Sequence, residues 1–376
     1  MARLAVRSLT VTCFRSLQRV SVDARCESVI LIGENGVGKT NVLEAVSLLT
    51  PGRGLRRSVS SEMIRVPGCS GWKIAADVDC PDHPCEIETS FGGSGSRVVR
   101  LDGKPVPQTA LGRVMPVMWL VPVMDRLWLE GSDGRRRFLD RLALNFRPEH
   151  AGVSLAYDKA LRQRNRMLKE GVRDSGWFDV VERQMAESGA AVEANRRVAV
   201  LRLDDAQAGN RSGFPVARLS LRGPEKPVSD VTADDLIDEF RTARPGDMRA
   251  GRTRNGPHRT DLLAVHEGKG IPARQCSTGE QKALLMSLVL SGARAIIAET
   301  GVPPVLLLDE VAAHLDEVRR SQLYGELAEI PVQTWMTGTD PRVFEPVERK
   351  VRRLVVTAAG GETSITECDR SGRAVN

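Results

Sequence analysis

Aromatic side chains are scarce in this 376-residue chain: 2 Tyr, 5 Trp and 8 Phe, together 4% of it. That argues against a protein whose main work is stacking bases or sugars on aromatic platforms. No run of 18 apolar residues occurs, so no membrane-spanning segment and no membrane partner is expected. The opening MARLAVRSLTVTCFRSL has neither an uninterrupted apolar stretch nor a small-residue cleavage site, so a secretory signal is not expected. Regularly spaced cysteine pairs are lacking too. Cys13, Cys26, Cys69, Cys80, Cys85, Cys276 and Cys368 are odd in number and scattered, which fits a cytoplasmic chain with reduced, mostly buried thiols. Cys80 and Cys85 flank His83, but no second Cys/His pair follows at finger spacing, which leaves zinc a weak reading. Internal repeats and low-complexity segments are also missing. The 54 basic residues exceed the 48 acidic ones to give a net charge of +6, compatible with an anionic partner without demanding one. A hydrophobic content of 41% is enough for a sizeable core. The length suggests roughly two or three domains.

What the chain does contain begins with alternation. Leu4, Val6, Leu9 and Val11 predict an opening strand. Ser28 to Ile32 is an apolar, β-branched run of the kind that forms a buried strand. It leads directly into Gly33-Glu34-Asn35-Gly36-Val37-Gly38-Lys39-Thr40. Asn41 to Leu49 then carries Val42, Leu43, Val46 and Leu49 at helical spacing, and Pro51-Gly52 ends it. Strand, GxxxxGKT loop and helix together make the context of a phosphate-binding loop. Glycines let the backbone wrap close to a triphosphate, and the helix N-terminus favours negative charge. Lys39 is expected to reach the β- and γ-phosphates, and the Thr40 hydroxyl to ligate Mg²⁺.

Further along, Val305 to Leu308 is an apolar strand that delivers Asp309 and Glu310 at its end. Side chains alternate along a strand, so the two acids take different poses. Asp309 is assigned to the metal and Glu310 to the general base. Ser277-Thr278-Gly279-Glu280-Gln281-Lys282 precedes an apolar helix, Ala283 to Ile297, and Ser277 with Glu280 has the spacing of a capping box. Residues 52 to 120 read as short strands and turns. From Asp125 to about Ala208 the pattern is helical, with Tyr157, Leu161, Arg164, Asn165 and Leu168 on successive turns. One more helix is expected at 232 to 241, strand patterning returns near Asp261, and Arg349 to Val356 reads as a short basic strand. This divides into an α/β lobe at 1–124, a mainly helical insert at 125–245 and the rest of the α/β lobe at 246–376.

The order of phosphate loop, Ser-x-Gly-x-Gln before a helix, Asp-Glu after a strand, and Ala313-His314-Leu315-Asp316 resembles the ABC-type ATPase family. Five further stretches resemble, across nearly the whole chain, the RecF family of bacterial recombination mediators, whose heads are SMC-like. They are Cys13-Phe14-Arg15-Ser16-Leu17, Asn41-Val42-Leu43-Glu44-Ala45, Gly131 to Asp140, Tyr157 to Lys169 and Gly256 to Leu262. The resemblance implies an ABC-type P-loop head that holds ATP through Gly33, Glu34, Asn35, Gly36, Val37, Gly38, Lys39, Thr40 and Asn41. It implies that Ser277, Gly279, Gln281 and Asp316 also serve the nucleotide, with Ser277 and Gly279 acting on ATP bound by a second copy. A helix N-terminus and a hydroxyl are suitable donors for that. The implied role is an ATP-dependent homodimer that clamps DNA at single-strand gaps and single/double-strand junctions. With RecO and RecR it would help load RecA, in replication restart and the SOS response. Slow, DNA-stimulated hydrolysis would release the clamp.

Two departures stand out. Thr337-Gly338-Thr339 occupies the place of a switch histidine, and no Q-loop glutamine stands near Val121 to Asp125. Arg56, Arg135, Arg136, Arg249, Arg252 and Arg254 are the candidate DNA contacts. Clusters without interleaved aromatics suit phosphates rather than base edges. His258 reads as a structural hydrogen-bonding residue. The competing reading, the ATPase subunit of a membrane transporter, explains the three core motifs but not the long insert.

Overall fold

A computed structural model of the chain describes residues 4–208, 213–223, 230–312, 315–347 and 350–373. The alternation at the start becomes β1 (Ala5–Phe14), which buries Leu9, Val11 and Phe14, and it pairs with β2 (Leu17–Asp23). β3 (Ser28–Ile32) is buried at every residue and feeds α1 (Lys39–Ser47). Next come β4 (Trp72–Asp79), β5 (Cys85–Phe91), β6 (Val98–Leu101), β7 (Lys104–Val106), the single turn α2 (Leu111–Val114) and β8 (Val117–Leu120). The helical stretch is α3 (Ser132–Phe146), α4 (His150–Glu170) and α5 (Ser175–Ala208). After it lie β9 (Ala217–Arg222), α6 (Ala233–Ala250), β10 (Asp261–His266), the two-residue β11 (Ile271–Pro272) and α7 (Thr278–Thr300). β12 (Val305–Leu308), α8 (Glu317–Glu329), β13 (Thr334–Gly338), β14 (Val351–Ala359) and β15 (Glu362–Glu367) complete the chain.

Two units form. The first holds the chain through Asp125, a short return at Phe214 and everything from Leu285 onward; the second runs from Arg126 to Leu284 apart from that return. In the first unit an antiparallel sheet has the order β2-β1-β4-β5-β6-β7, and a second sheet has the order β15-β14-β3-β13-β12-β8. From β14 to β8 that second sheet is parallel. Parallel strands covered on both faces read as continuous apolar runs, which is why β3 and β12 show no alternation. The Gln333 amide ties the sheets together: it donates to the carbonyls of Val6 and Glu27 at 2.8 Å each, and its oxygen accepts from the Val6 N–H. α7 is apolar and long enough to cross a membrane by length and composition alone, yet 72% of its apolar window is buried inside the protein.

Three expectations need correction. The insert was expected to end at 245, but the second unit continues to Leu284, because β10 pairs with β9 and β11 over residues on both sides of that boundary. α6 was expected to stop near 241, yet it runs to Ala250 with Pro245 inside it. A buried ion cluster holds its last turns. Finally, Cys13 and Cys69 are joined by a disulfide rather than reduced. Backbone hydrogen bonds from Arg15 to Met63 and from Arg65 to Cys13 bring the two segments side by side. Cys80 and Cys85 face each other at 3.0 Å between sulfurs, and among the described residues no three His, Cys, Asp or Glu side chains gather as a metal cluster.

The ion cluster centres on Arg164 of α4, fully buried with Glu182 and Asp247. Its guanidinium donates to Glu182 at 2.9 Å, Asp247 at 2.7 Å, the Thr253 hydroxyl at 2.8 Å and the Phe240 carbonyl at 3.0 Å. One side chain thus joins α4, α5, α6 and the turn after α6. Removing one member of a buried pair leaves its partners charged and dry. Arg164→Met should therefore destabilise the protein by about 3–5 kcal/mol. Denaturant unfolding tests this, and a loss below about 1 kcal/mol, the level of an exposed pair, would contradict the assignment.

Candidate nucleotide site

The loop between β3 and α1 is shaped by backbone that only glycine tolerates. Gly38 has φ of +108°, and a Cβ there would meet the Ser16 hydroxyl at 2.9 Å. A Cβ on Gly33 would strike the Val356 carbonyl at 2.2 Å. Gly38 is the N-cap of α1 and offers no side-chain cap; the Asn41 N–H bonds back to the Gly38 carbonyl at 3.0 Å, and the helix start before it suits an anion. Glu34, Asn35 and Gly36 are exposed at the loop tip, and the Val37 carbonyl accepts from the Thr363 hydroxyl at 3.1 Å. Asn41 donates to Ser16 at 2.8 Å, which fastens the start of α1 to the β1–β2 turn.

Lys39 is 4% exposed. Its ammonium donates to the carbonyls of Gly33 at 2.7 Å and Glu34 at 2.8 Å, and lies 3.8 Å from the Glu310 carboxylate. Burial lowers its pKa, against the pull of Glu310 and Asp309. The Thr40 hydroxyl donates to both oxygens of Asp309, at 2.9 and 3.1 Å. The two residues expected to ligate a metal, from opposite ends of the sequence, therefore meet directly. These donors and acids suit a nucleoside triphosphate with a divalent cation: backbone N–H groups and an ammonium for phosphate oxygens, a hydroxyl and a carboxylate for the metal.

Sequence reasoning passed over the groups behind this site. The Thr337 hydroxyl on β13 contacts both acids: it donates to Asp309 at 2.8 Å and accepts from the Glu310 N–H at 2.9 Å. Glu44 of α1 is fully buried and receives Arg15 at 2.8 Å and Arg56 at 3.1 Å. Arg56 also donates to the Asn41 side-chain oxygen Oδ1 at 2.7 Å. The candidate DNA contact Arg56 thus serves α1. The absent switch histidine was a signal for Thr337, but not one that named its partners.

The signature segment belongs to the second unit. Ser277 is exposed and forms the capping box: its N–H donates to Glu280 at 2.9 Å, and the Glu280 N–H donates to its hydroxyl at 3.4 Å. The Lys269 ammonium, together with Ser277, holds the Glu280 carboxyl down to about 2. Gly279 is half-buried in the first turn of α7. Gln281 departs from the expectation. It is 3% exposed, and its amide donates to the Cys276 carbonyl at 2.9 Å, so it braces the loop from inside rather than facing a nucleotide. Asp316 in the first unit caps α8 by accepting from the Arg319 N–H at 2.8 Å. Ala313 and His314 lie outside the described residues.

The remaining arginines divide. Arg135 is 11% exposed and grips Asp261 through two hydrogen bonds of 2.7 and 2.9 Å, and Arg136 donates to the Thr260 carbonyl at 3.0 Å. Both were candidate DNA contacts, and both are turned inward to hold α3 against the start of β10. Arg254 pairs with Asp247 at 3.3 Å but is 55% exposed. Arg249 and Arg252 are exposed.

A glycine loop at the end of a parallel strand, with an acid pair on the strand two places away in the same sheet, defines a P-loop nucleotide-binding head. Residues 5–360 match the family described as the RecF/RecN/SMC N terminal domain. The DNA replication and repair protein RecF of Mesorhizobium japonicum is 44% identical over 368 residues, covering 94% of this chain and 97% of that protein. RecF of Brucella suis is 44% identical over 367 residues, covering 95% of each. Among solved structures, the recombination mediator protein RecF-ATP in the RecFOR pathway superposes with a TM-score of 0.80 at 24% identity, over 97% of this chain and 99% of that one. An SMC head bound to the C-winged helix domain of ScpA gives 0.55 at 15% identity, over 97% of each. The chain belongs to the RecF family.

His258, in the Gly256 to Leu262 stretch, accepts from the Tyr157 hydroxyl at 2.7 Å and donates to the Thr253 carbonyl at 3.2 Å, which fixes its neutral tautomer. Burial pushes its pKa down to about 4. The folded value lies below the ordinary one near 6.5, so the unfolded chain takes up the proton first as pH falls. This contribution to stability is complete above about pH 6.5 and is lost progressively toward pH 4, by about 3 kcal/mol at most. Thermal unfolding across that range should show a flatter pH dependence in His258→Gln; an unchanged slope contradicts a buried neutral imidazole.

Proposed function

We propose that this chain is an ATP- and Mg²⁺-dependent DNA-binding protein of recombinational repair, in which two copies close on DNA around shared nucleotide. The observation that carries the reading is the meeting of Thr40 with Asp309 beside Lys39, at an uncapped helix N-terminus. When bound, Mg²⁺-ATP supplies a transferable γ-phosphoryl group and the metal's charge. The chain's own residues do the rest. The α1 N-terminus and Lys39 would orient the phosphates, Thr40 and Asp309 would hold the cation, and Glu310 would take the proton of the attacking water. Ser277, exposed at the N-terminus of α7, presents its hydroxyl and the helix end to a second copy. Kinship with proteins named for DNA replication and repair, and with a recombination mediator of the RecFOR pathway, supports a cytoplasmic role with RecO and RecR at gaps and junctions. Hydrolysis on this reading is slow, raised by DNA, and serves release.

Analytical sedimentation tests the shared-nucleotide step. The wild type should shift from monomer to dimer on addition of Mg²⁺-ATP, whereas Lys39→Met and Ser277→Arg should stay monomeric. A wild type that stays monomeric at saturating ATP, or a Lys39→Met variant that dimerises as well as the parent, counts against it.

DNA contact is proposed for Arg249, Arg252 and the exposed Arg254, leaving Arg135 and Arg136 to the fold. Each phosphate neutralised contributes about 0.9 to the slope of log affinity against log salt on duplex DNA. The Arg249→Ala/Arg252→Ala double variant should lower that slope by about 1 to 2 at unchanged melting temperature. An unaltered slope removes these residues from the interface.

A further inference from the structure

We propose that Thr337 is the positioning residue that sets Asp309 and Glu310 to their separate tasks, taking over the place of the switch histidine by acting behind the acids instead of on the nucleotide. The inference rests on the reading of Asp309 as metal ligand and Glu310 as base. β12 and β13 run parallel with Leu308 opposite Met336, so Asp309, the first residue past the end of β12, lies beside Thr337, which is still within β13. Thr337 is 1% exposed. A backbone N–H can only donate and an ionised carboxylate can only accept. The hydroxyl therefore takes the Glu310 N–H on a lone pair and spends its single proton on Asp309, at 2.9 and 2.8 Å. Both bonds run in the only direction the chemistry permits.

Two consequences follow for the site. Asp309 Oδ1 is fixed from two sides, by Thr40 at 2.9 Å and by Thr337 at 2.8 Å, so the carboxylate is oriented before a cation arrives. Glu310 has φ of +51°, a left-handed conformation that a residue with a side chain adopts only when its surroundings hold it. The Thr337 oxygen is the anchor for that residue's N–H. The turn carries the Glu310 side chain out of the strand direction to within 3.8 Å of the Lys39 ammonium. A buried, branched threonine is too short and too enclosed to act as a long switch side chain does. It acts through the geometry of the two acids.

Thr337→Val keeps the shape and strand preference and deletes the hydroxyl. Single-turnover ATP hydrolysis should fall about 10- to 100-fold, the loss expected when a reacting group is misplaced. The Mg²⁺ concentration giving half the maximal rate should rise severalfold, while ATP affinity measured without Mg²⁺ stays within about twofold of the parent. Thr337→Ser should restore most of the rate. A valine variant with parental rate and parental Mg²⁺ dependence overturns the inference. So does a serine variant as slow as valine, which would make the methyl group, and not the hydroxyl, the element that matters. If the valine variant melts early, Thr337→Ala read at a temperature where it is folded gives the same comparison. Glu310→Gln run in parallel separates the two readings. Parental turnover there sinks Glu310 as base, whereas an inactive Glu310→Gln beside a fully active Thr337→Val sinks only the role given to Thr337.

Discussion

Two strands of one parallel sheet, β3 and β12, stop at the same edge with β13 between them, and the nucleotide chemistry hangs from that edge. β3 ends in the glycine loop that starts α1. β12 ends in Asp309 and Glu310. The hydrogen bond from Thr40 to Asp309 closes the gap between segments remote in sequence. Parallel strands need crossover connections, so their carboxyl ends collect at one edge, where loops bear function. The buried, unalternating character of β3 and β12 is the cost of that arrangement, because both faces must be covered.

Around this edge the polar groups are arranged in layers. Lys39 and Thr40 stand at the glycine loop, against Glu310 and Asp309. Thr337 stands behind the acids, and Ser16 behind Asn41. Glu44 sits deeper, fully buried between Arg15 and Arg56. An ionised group at that depth persists only when it is paired and hydrogen-bonded. The Arg15 and Glu44 stretches, which resemble the family at opposite ends of a short segment, thus turn out to be one contact that sets α1 against the β1–β2 turn.

The second unit uses charge differently. Arg164 gathers Glu182, Asp247 and Thr253 in the interior, and Arg135 clasps Asp261. A charge tally along the sequence cannot separate these inward arginines from Arg249 and Arg252, which face solvent. All are arginines in helical or turn segments rich in their own kind. What distinguishes them is whether the fold brings a carboxylate within reach.

Local chemistry was legible from residues alone. The GxxxxGKT loop, the apolar run into Asp309-Glu310 and the Ser277 capping box each depend on neighbours within a few positions, and the structure forms each where the pattern put it. Helix ends and lobe limits were less so. α6 outran its periodicity because Asp247 is claimed by a residue on α4, and the second unit reached Leu284 because β10 finds its partners across the insert. Long-range pairing decided the rest: Thr337 on the acids and Cys13 joined to Cys69. Short-range rules read backbone preference and hydrophobic period, which the chain carries everywhere. Which hydroxyl meets which carboxylate depends on how strands stack in a sheet, and that order exists only once the chain has folded.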